Sequence, residues 1–495
     1  MVSFPINGHP HLVLGNTGVP PERRPYVLDA SYVAQHKHII GVTGTGKSKL
    51  LASIYVQLLN QGIACALVDP HGDLATDILG VLLDTGYFAQ PEAYDRLWYV
   101  DFSNREAFLP ANILDQPYDA HTVARNLVEV FGRAWSALAG GAAPNFENIL
   151  LASVFVLVEN QLPLTALPRL LSDQPYRDQL LTHVSDPQIV AFFHARFDKW
   201  KGSSVLLEST LRRIFLLTFS PTLRYTLGQR DNALQFRRLM DEKVSVLYNL
   251  GGLDEATQRF LGCLLTVGYE VAALSRADTP EEERTAYHLI VDEFSMFSAQ
   301  SEASFERMLS LTRKYGLSLV LTHQTWSQAS ERLRGALQNT LSIAFKLGRS
   351  DAEWAAKRLG TYDPYRIKHE VTDPQHAGRS HPVYFSAQET FAQWTQDLEH
   401  LAPREAYVKA GTQTTKIQTL RVPSLTAARN DVQRIIDHYA ARLLTPRSQI
   451  VEPVDSIAAD GTAPAVVLPQ GTQPEGRRTT RRRERLPQAA AADGP

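Results

Sequence analysis

Apolar positions in the first quarter of the chain come in short unbroken runs, and stretches of helical spacing separate them. HIIGV, from His38, reads as a buried strand. Leu50, Leu51, Ile54, Tyr55, Leu58 and Leu59 then repeat with helical period until Gly62 stops them. IACALV, closing at Asp69-Pro70, reads as a second strand and LWYVD as a third. Strands that are apolar throughout are covered on both faces, so the pattern predicts a largely parallel sheet between helices, an α/β fold. From about Gln116 to Arg238 the spacing is helical only. Val123, Leu127, Val130, Phe131, Ala134 and Leu138 form one stripe, GGAAP breaks it, and Asp186-Pro187 joins an N-cap to a first-turn proline ahead of QIVAFFHARFDKW. From Lys243 the alternation resumes with VSVLYNL, YHLIVDEF, LSLVLTHQ and SIAFKLG as strands. A helix is expected from Ser304 to Tyr315, ended by Gly316, and a capping box at Ser350–Glu353 is expected to open another.

An all-helical block between two α/β stretches reads as an insertion. The expected organisation is a first α/β part over 1–115, an all-helical insertion over 116–238, a second α/β part over 239–400, a strand and helix over 401–445, and a tail over 446–495. The tail is rich in Pro, Gly, Ala and Gln and carries RRTTRRRER from Arg477; it has too little apolar surface to order itself. Such a basic run serves solubility or binds phosphate backbones.

Composition narrows the partners. With 495 residues, 44% hydrophobic, the chain can bury two or three domain cores. Lys and Arg (50) balance Asp and Glu (52), so no whole-chain positive field draws nucleic acid and a polyanion site must be local. Cys65 and Cys263 stand in apolar runs without metal-ligand spacing, as buried thiols in a reducing compartment do. No secretion signal opens the sequence. The longest apolar run, ILLASVFVLV, is about half the ~20 residues of a membrane span, so a soluble, cytoplasmic protein without stable membrane insertion is expected.

The chemistry starts where HIIGV meets its helix. Gly41, Val42, Thr43, Gly44, Thr45, Gly46, Lys47 and Ser48 fit the G-x-x-x-x-G-K-[ST] phosphate loop, placed after a strand and before a helix as its mechanism requires. Main-chain N–H groups from Gly44 to Ser48 would ring a polyphosphate at a helix N-terminus, Lys47 would neutralise β/γ oxygens, and Ser48 would hold Mg²⁺. Gly41, Thr43, Gly44, Thr45, Gly46, Lys47, Ser48 and Lys49 are therefore the expected ATP contacts. Hydrolysis asks for one carboxylate on the metal and a second on the attacking water, and only Asp292-Glu293, closing YHLIVDEF, offers both together. Asp292 is assigned to Mg²⁺ and Glu293 to the water. Asp69 either lines the same cleft or shapes the DPHGD turn. Gln324 reports the γ-phosphate or caps its strand, and His323 is read as structural. Arg313 complements a helix C-terminus or reaches a neighbouring subunit's nucleotide; Arg349, Arg213 and Arg224 compete for that role.

GVTGTGKSKLL, VDPHGDL, IVDEFSMF, LTRKYGLSLVLTHQ and ALQNTLSIAFKLGRSDAEWAAKRL, in that order, resemble the HerA/FtsK superfamily, most of all the conjugative coupling proteins of the TraG/TraD type. The resemblance runs from about His38 to Val408. It implies a RecA-like P-loop ATPase interrupted by a helical domain, a homohexameric ring, and DNA as cargo held by its backbone charge. It also implies Gln324 as sensor, Arg313 as the arginine acting in trans, and relaxase or secretion-channel proteins as partners. Lys49 stands where relatives commonly have threonine, and NFENIL where they often carry arginine. The membrane helices that open anchored relatives are not in this sequence. A motor that moves protein substrates, and a nucleotide-gated scaffold, are the alternatives.

Overall fold

The structure, a computed structural model, describes residues 9–18, 21–135, 144–200, 219–298, 302–372, 380–422 and 428–450, together with 215 and 426. Its central sheet has eleven strands: β1 Leu12–Thr17, β2 Arg24–Leu28, β3 Lys37–Ile40, β4 Ala64–Asp69, β5 Leu97–Asp101, β6 Ser245–Asn249, β7 Tyr287–Val291, β8 Leu317–His323, β9 Leu341–Ala344, β10 Glu405–Ala410 and β11 Gln413–Thr419. Across the sheet they run β2-β1-β11-β10-β9-β3-β8-β7-β4-β6-β5. The seven from β9 to β5 are mutually parallel. The other four pair antiparallel as one edge.

The parallel part is the one the apolar runs foretold. β3, β4, β6, β7, β8 and β9 are buried at every position. Successive side chains go to opposite faces, so Ile290 joins one apolar cluster with the helix Lys47–Asn60, while Leu289 and Val291 join a second with the helix Glu255–Ser275. The segment Glu255–Asp278 is long and apolar enough to cross a membrane by length and composition, yet 72% of its apolar window is buried inside the fold. It packs on the helix Ala120–Trp135, with Phe131 edge-on to Phe260 at 5.8 Å.

Every regular element described between 120 and 227 is helical. Asp186 caps the helix Pro187–Phe192 through the Gln188 N–H, with Pro187 at its first position. The block is tied at its base: the Ala111 N–H donates to Thr226 O at 3.1 Å and the Ala233 N–H to Pro110 O at 2.8 Å. The chain therefore leaves the α/β part and returns to it at one place.

Several details differ from expectation. The helix Arg349–Leu359 starts before Ser350, because the chain turns from extended to helical already at Gly348 (φ −72°, ψ 161°), which is its N-cap without a side-chain cap, so Ser350 falls inside the helix. A capping box does form at Ser386 and Glu389. The helix expected from Ser304 is Glu302–Leu311, followed by a 3₁₀ turn Thr312–Tyr315 that left-handed Gly316 ends. The C-terminal part holds the β10–β11 hairpin as well as a helix, Arg429–Leu443. Residue 446 is still within the fold: Thr445–Pro446 pairs with Ala107–Phe108 and the Arg447 N–H donates to Glu106 O. The arginine run from Arg477 and most of the GGAAP break lie outside the described residues.

Candidate nucleotide-binding and hydrolysis site

β3, β7 and β8 all end at one edge of the sheet, and the predicted motif residues follow those ends. Beyond Ile40 the loop is pinned on both sides, the Gly41 N–H donating to His323 O and the Val42 N–H to Lys346 O at 3.0 Å. A Cβ at Gly41 would stand 2.6 Å from the Phe345 side chain, so only glycine fits there. Gly46 has φ 111°, the left-handed turn that swings the chain into the helix Lys47–Asn60. The Lys47 ammonium is folded back into the loop, donating to the carbonyls of Gly41 (2.5 Å) and Val42 (3.3 Å). Burial holds its pKa below the ordinary lysine value, against the pull of Glu293 and Asp292. Thr45 donates to Val42 O at 2.8 Å, and Ser48 is exposed at the helix start. Lys49 is engaged elsewhere, its ammonium 2.5 Å from Asp77.

The acidic pair sits two strands away, with β8 between. Asp292 Oδ1 accepts from the Thr322 hydroxyl and from the Glu293 N–H (3.1 Å), and that N–H also points to Thr322 Oγ1 at 3.1 Å. Glu293 has φ 45°, uncommon for a side chain this large and a mark of strained functional turns. Asp292 and Glu293 are 5% and 8% exposed, so neither charge is spent on bulk water. Glu293 Oε1 accepts from the Gln324 amide at 3.0 Å, and Gln324 Oε1 accepts from the Thr43 hydroxyl at 3.2 Å. Burial raises the Glu293 carboxyl above the usual 4.5, with the Gln324 bond opposing. The structure thus joins the loop, the end of β8 and the end of β7 through side chains: Thr43 to Gln324 to Glu293.

Asp69 shapes its turn, Oδ1 accepting from the His71 N–H (3.0 Å) and Oδ2 from the Ala75 N–H (2.9 Å). His323 is buried with Nε2 2.8 Å from His38 Nε2, so one ring donates and the other accepts. Burial, reinforced by the Lys47 charge, pushes its pKa down to about 3, so it stays neutral.

Arg313 lies at the other end of β8. The whole of that strand, seven residues at about 3.3 Å each, separates the turn that carries Arg313 from Gln324 and the phosphate loop, which puts Arg313 out of reach of its own loop. Arg349 is held by Glu353 and Glu399, Arg224 reaches the Tyr225 hydroxyl, and Arg213 falls outside the described residues. Two residues were missed in the sequence. Thr322 lies two positions before Gln324 and so shares its strand face, a signal that period-2 reading could have caught. Arg404 left no signal: from the turn before β10, at φ 72°, it donates its N–H to Thr45 O (2.9 Å) and lays Cγ 3.6 Å from where a Gly46 Cβ would be.

The donor set suits a magnesium nucleotide. Ser48 and Asp292 offer hard oxygen ligands, and the described residues contain no group of three or more His, Cys, Asp or Glu able to hold an ion alone. An ion here would complete its shell with phosphate oxygens and water, as Mg²⁺ does in nucleotide sites.

Residues 14–96 match the family described as helicase HerA, central domain, and residues 286–397 the one described as the TraM recognition site of TraD and TraG. No curated protein sequence matches the chain. Among solved structures, the unbound bacterial conjugative coupling protein TrwBdeltaN70 aligns at 17% identity over 83% of this chain and 90% of its own, with TM-score 0.52. TrwB in complex with ADP and Mg²⁺ gives 17%, 82%, 89% and 0.50, and VirB4 of Thermoanaerobacter pseudethanolicus 14%, 83%, 96% and 0.53. At these identities the structural likeness speaks for the fold. The two matched segments carry the two sides of the cleft just described, and the fold is that of the conjugative coupling protein and VirB4 structures, so in its segments and in its fold the chain is similar to the HerA/FtsK-type P-loop ATPases.

Proposed function

We propose that the chain hydrolyses ATP as a homohexameric ring and spends the energy on moving DNA, in plasmid transfer or a related process. The observation that carries the hydrolytic part is the Thr43–Gln324–Glu293 chain, which ties the phosphate loop to a buried carboxylate. Lys47 exchanges its carbonyl partners for β/γ oxygens of the substrate. Ser48 and Asp292 are the groups that would hold magnesium, which when bound supplies charge neutralisation at those oxygens. Glu293, its affinity for a proton raised by burial, orients water and takes its proton. Gln324, bonded to both Glu293 and Thr43, registers whether the loop is filled. Arg313, too far to serve its own site, is suited to a neighbour's nucleotide.

DNA as cargo rests on the family resemblance, with backbone charge as the handle; relaxase or secretion-channel proteins are the fitting partners in the cell. The test is the ATPase rate with and without single- and double-stranded DNA, alongside the mass in solution with a non-hydrolysable analogue. The reading expects a DNA-dependent rise and a mass of six chains. A rate indifferent to both DNA forms would instead favour a motor for protein substrates.

A further inference from the structure

A cavity of about 570 Å³ opens at the other end of the parallel strands from the phosphate loop, where β3 and β9 begin and β10 ends. Gln35, Asn339, Trp354, Lys357, Arg358 and Lys409 supply its polar and aromatic wall, and no carboxylate is among the residues that line it. Arg358 is anchored by one nitrogen, Nη2, which donates to Leu337 O (2.8 Å) and Thr340 O (3.2 Å). Nη2 also donates to the Ser342 hydroxyl, and Nε and Nη1 are buried behind the cavity wall with no partner among the described residues, so the guanidinium charge is felt in the cavity without being exposed to it. The Lys409 ammonium donates to the Arg358 carbonyl, so two cations are held side by side. Burial presses Arg358 down to about 10, and burial followed by the Arg358 charge presses Lys409 the same way. Confined like charges without a counter-charge are unfavourable, and an anion relieves them.

The size adds a second constraint. The volume falls within the range of about 300–1,000 Å³ typical of small-molecule sites and far exceeds one phosphate group. Trp354 provides an aromatic surface, and cations beside an aromatic ring are the combination that holds unpaired nucleotides. We propose that this cavity is a second site that takes a nucleoside phosphate, free or as part of a single strand, with Lys357 and Lys409 on the phosphate, the buried charge of Arg358 behind them, and Trp354 against the base. Trp354 also stands 4.0 Å from the ring of Trp326, itself 5.1 Å from His323, the residue before Gln324, so occupancy has a packed route to the hydrolytic cleft. The site does not rest on the ATPase reading, because Lys47 takes no part in it.

The experiment uses the full chain carrying Lys47→Ala, which silences the phosphate loop. Calorimetric titration with thymidine 5′-monophosphate forms one arm and with a 5′-phosphorylated oligothymidylate the other; each is repeated with Lys357→Glu and Lys409→Gln added, and melting temperatures check folding. Binding in either arm that weakens tenfold or more in the added variant, at unchanged melting temperature, supports the site. Comparable mononucleotide and oligonucleotide affinities assign it to free nucleotides, and oligonucleotide binding alone assigns it to a strand. No binding in either arm, or binding that Lys357→Glu and Lys409→Gln leave unaltered, overturns it.

Discussion

Gln324 is the residue at which the two sides of the cleft meet, one end of its amide on Thr43 and the other on Glu293. Its bond favours the charged form of Glu293, opposing the rise that burial causes. In the proposed reaction Glu293 must be ionised to accept a proton from water, so activity is expected to be lost as pH falls through its raised pKa. In Gln324→Leu the pKa rises further, and the acidic limb of kcat/KM against pH moves upward while turnover falls. A limb that stays in place would mean that another group titrates. Thr322→Val removes the hydroxyl that serves both Asp292 and the Glu293 N–H. Leaving these buried groups short of a partner costs about 1–3 kcal/mol, readable in chemical denaturation, and turnover drops with it.

At the scale of elements, the helical block depends on an unusual anchor. Arg177 is 0% exposed and pairs with Asp198 at 2.6 Å while donating to Leu170 O. Removing one partner of such a pair strands the other, so Arg177→Met is expected to cost about 3 kcal/mol or more in unfolding free energy. A cost below about 1 kcal/mol would show that the pair does not hold the block. Those helices were legible in the sequence because apolar spacing and the Asp186-Pro187 cap are local. The central strands were legible because burial on both faces makes each an unbroken apolar run. The antiparallel edge was not: LVLGNT and RPYVL mix polar residues, glycine and proline, while QTTKIQT is polar at most positions. Their pairing with one another depends on tertiary contact that no short window contains. The same holds within the site. Lys47, Asp292 and Glu293 announce themselves by motif, whereas Arg404 reaches the loop only because the β10–β11 hairpin folds beside it.

For the whole molecule, the separation of Arg313 from its own phosphate loop requires a neighbour if that arginine acts at all. Mixing Arg313→Ala chains with Lys47→Ala chains, each expected to be inactive alone, should restore a fraction of the ATPase rate, since some interfaces then join an intact loop to an intact arginine. Full activity of Arg313→Ala alone would exclude the residue from that role. The proposed reaction joins residues more than two hundred positions apart in the chain in one cleft around Lys47 and Glu293. Single-turnover hydrolysis of radiolabelled ATP, measured with filter binding on the same samples of the unaltered chain and of Glu293→Gln, tests it most directly. Equal ATP binding with hydrolysis reduced about 10²-fold or more is the predicted result, and hydrolysis at an undiminished rate by Glu293→Gln would contradict it.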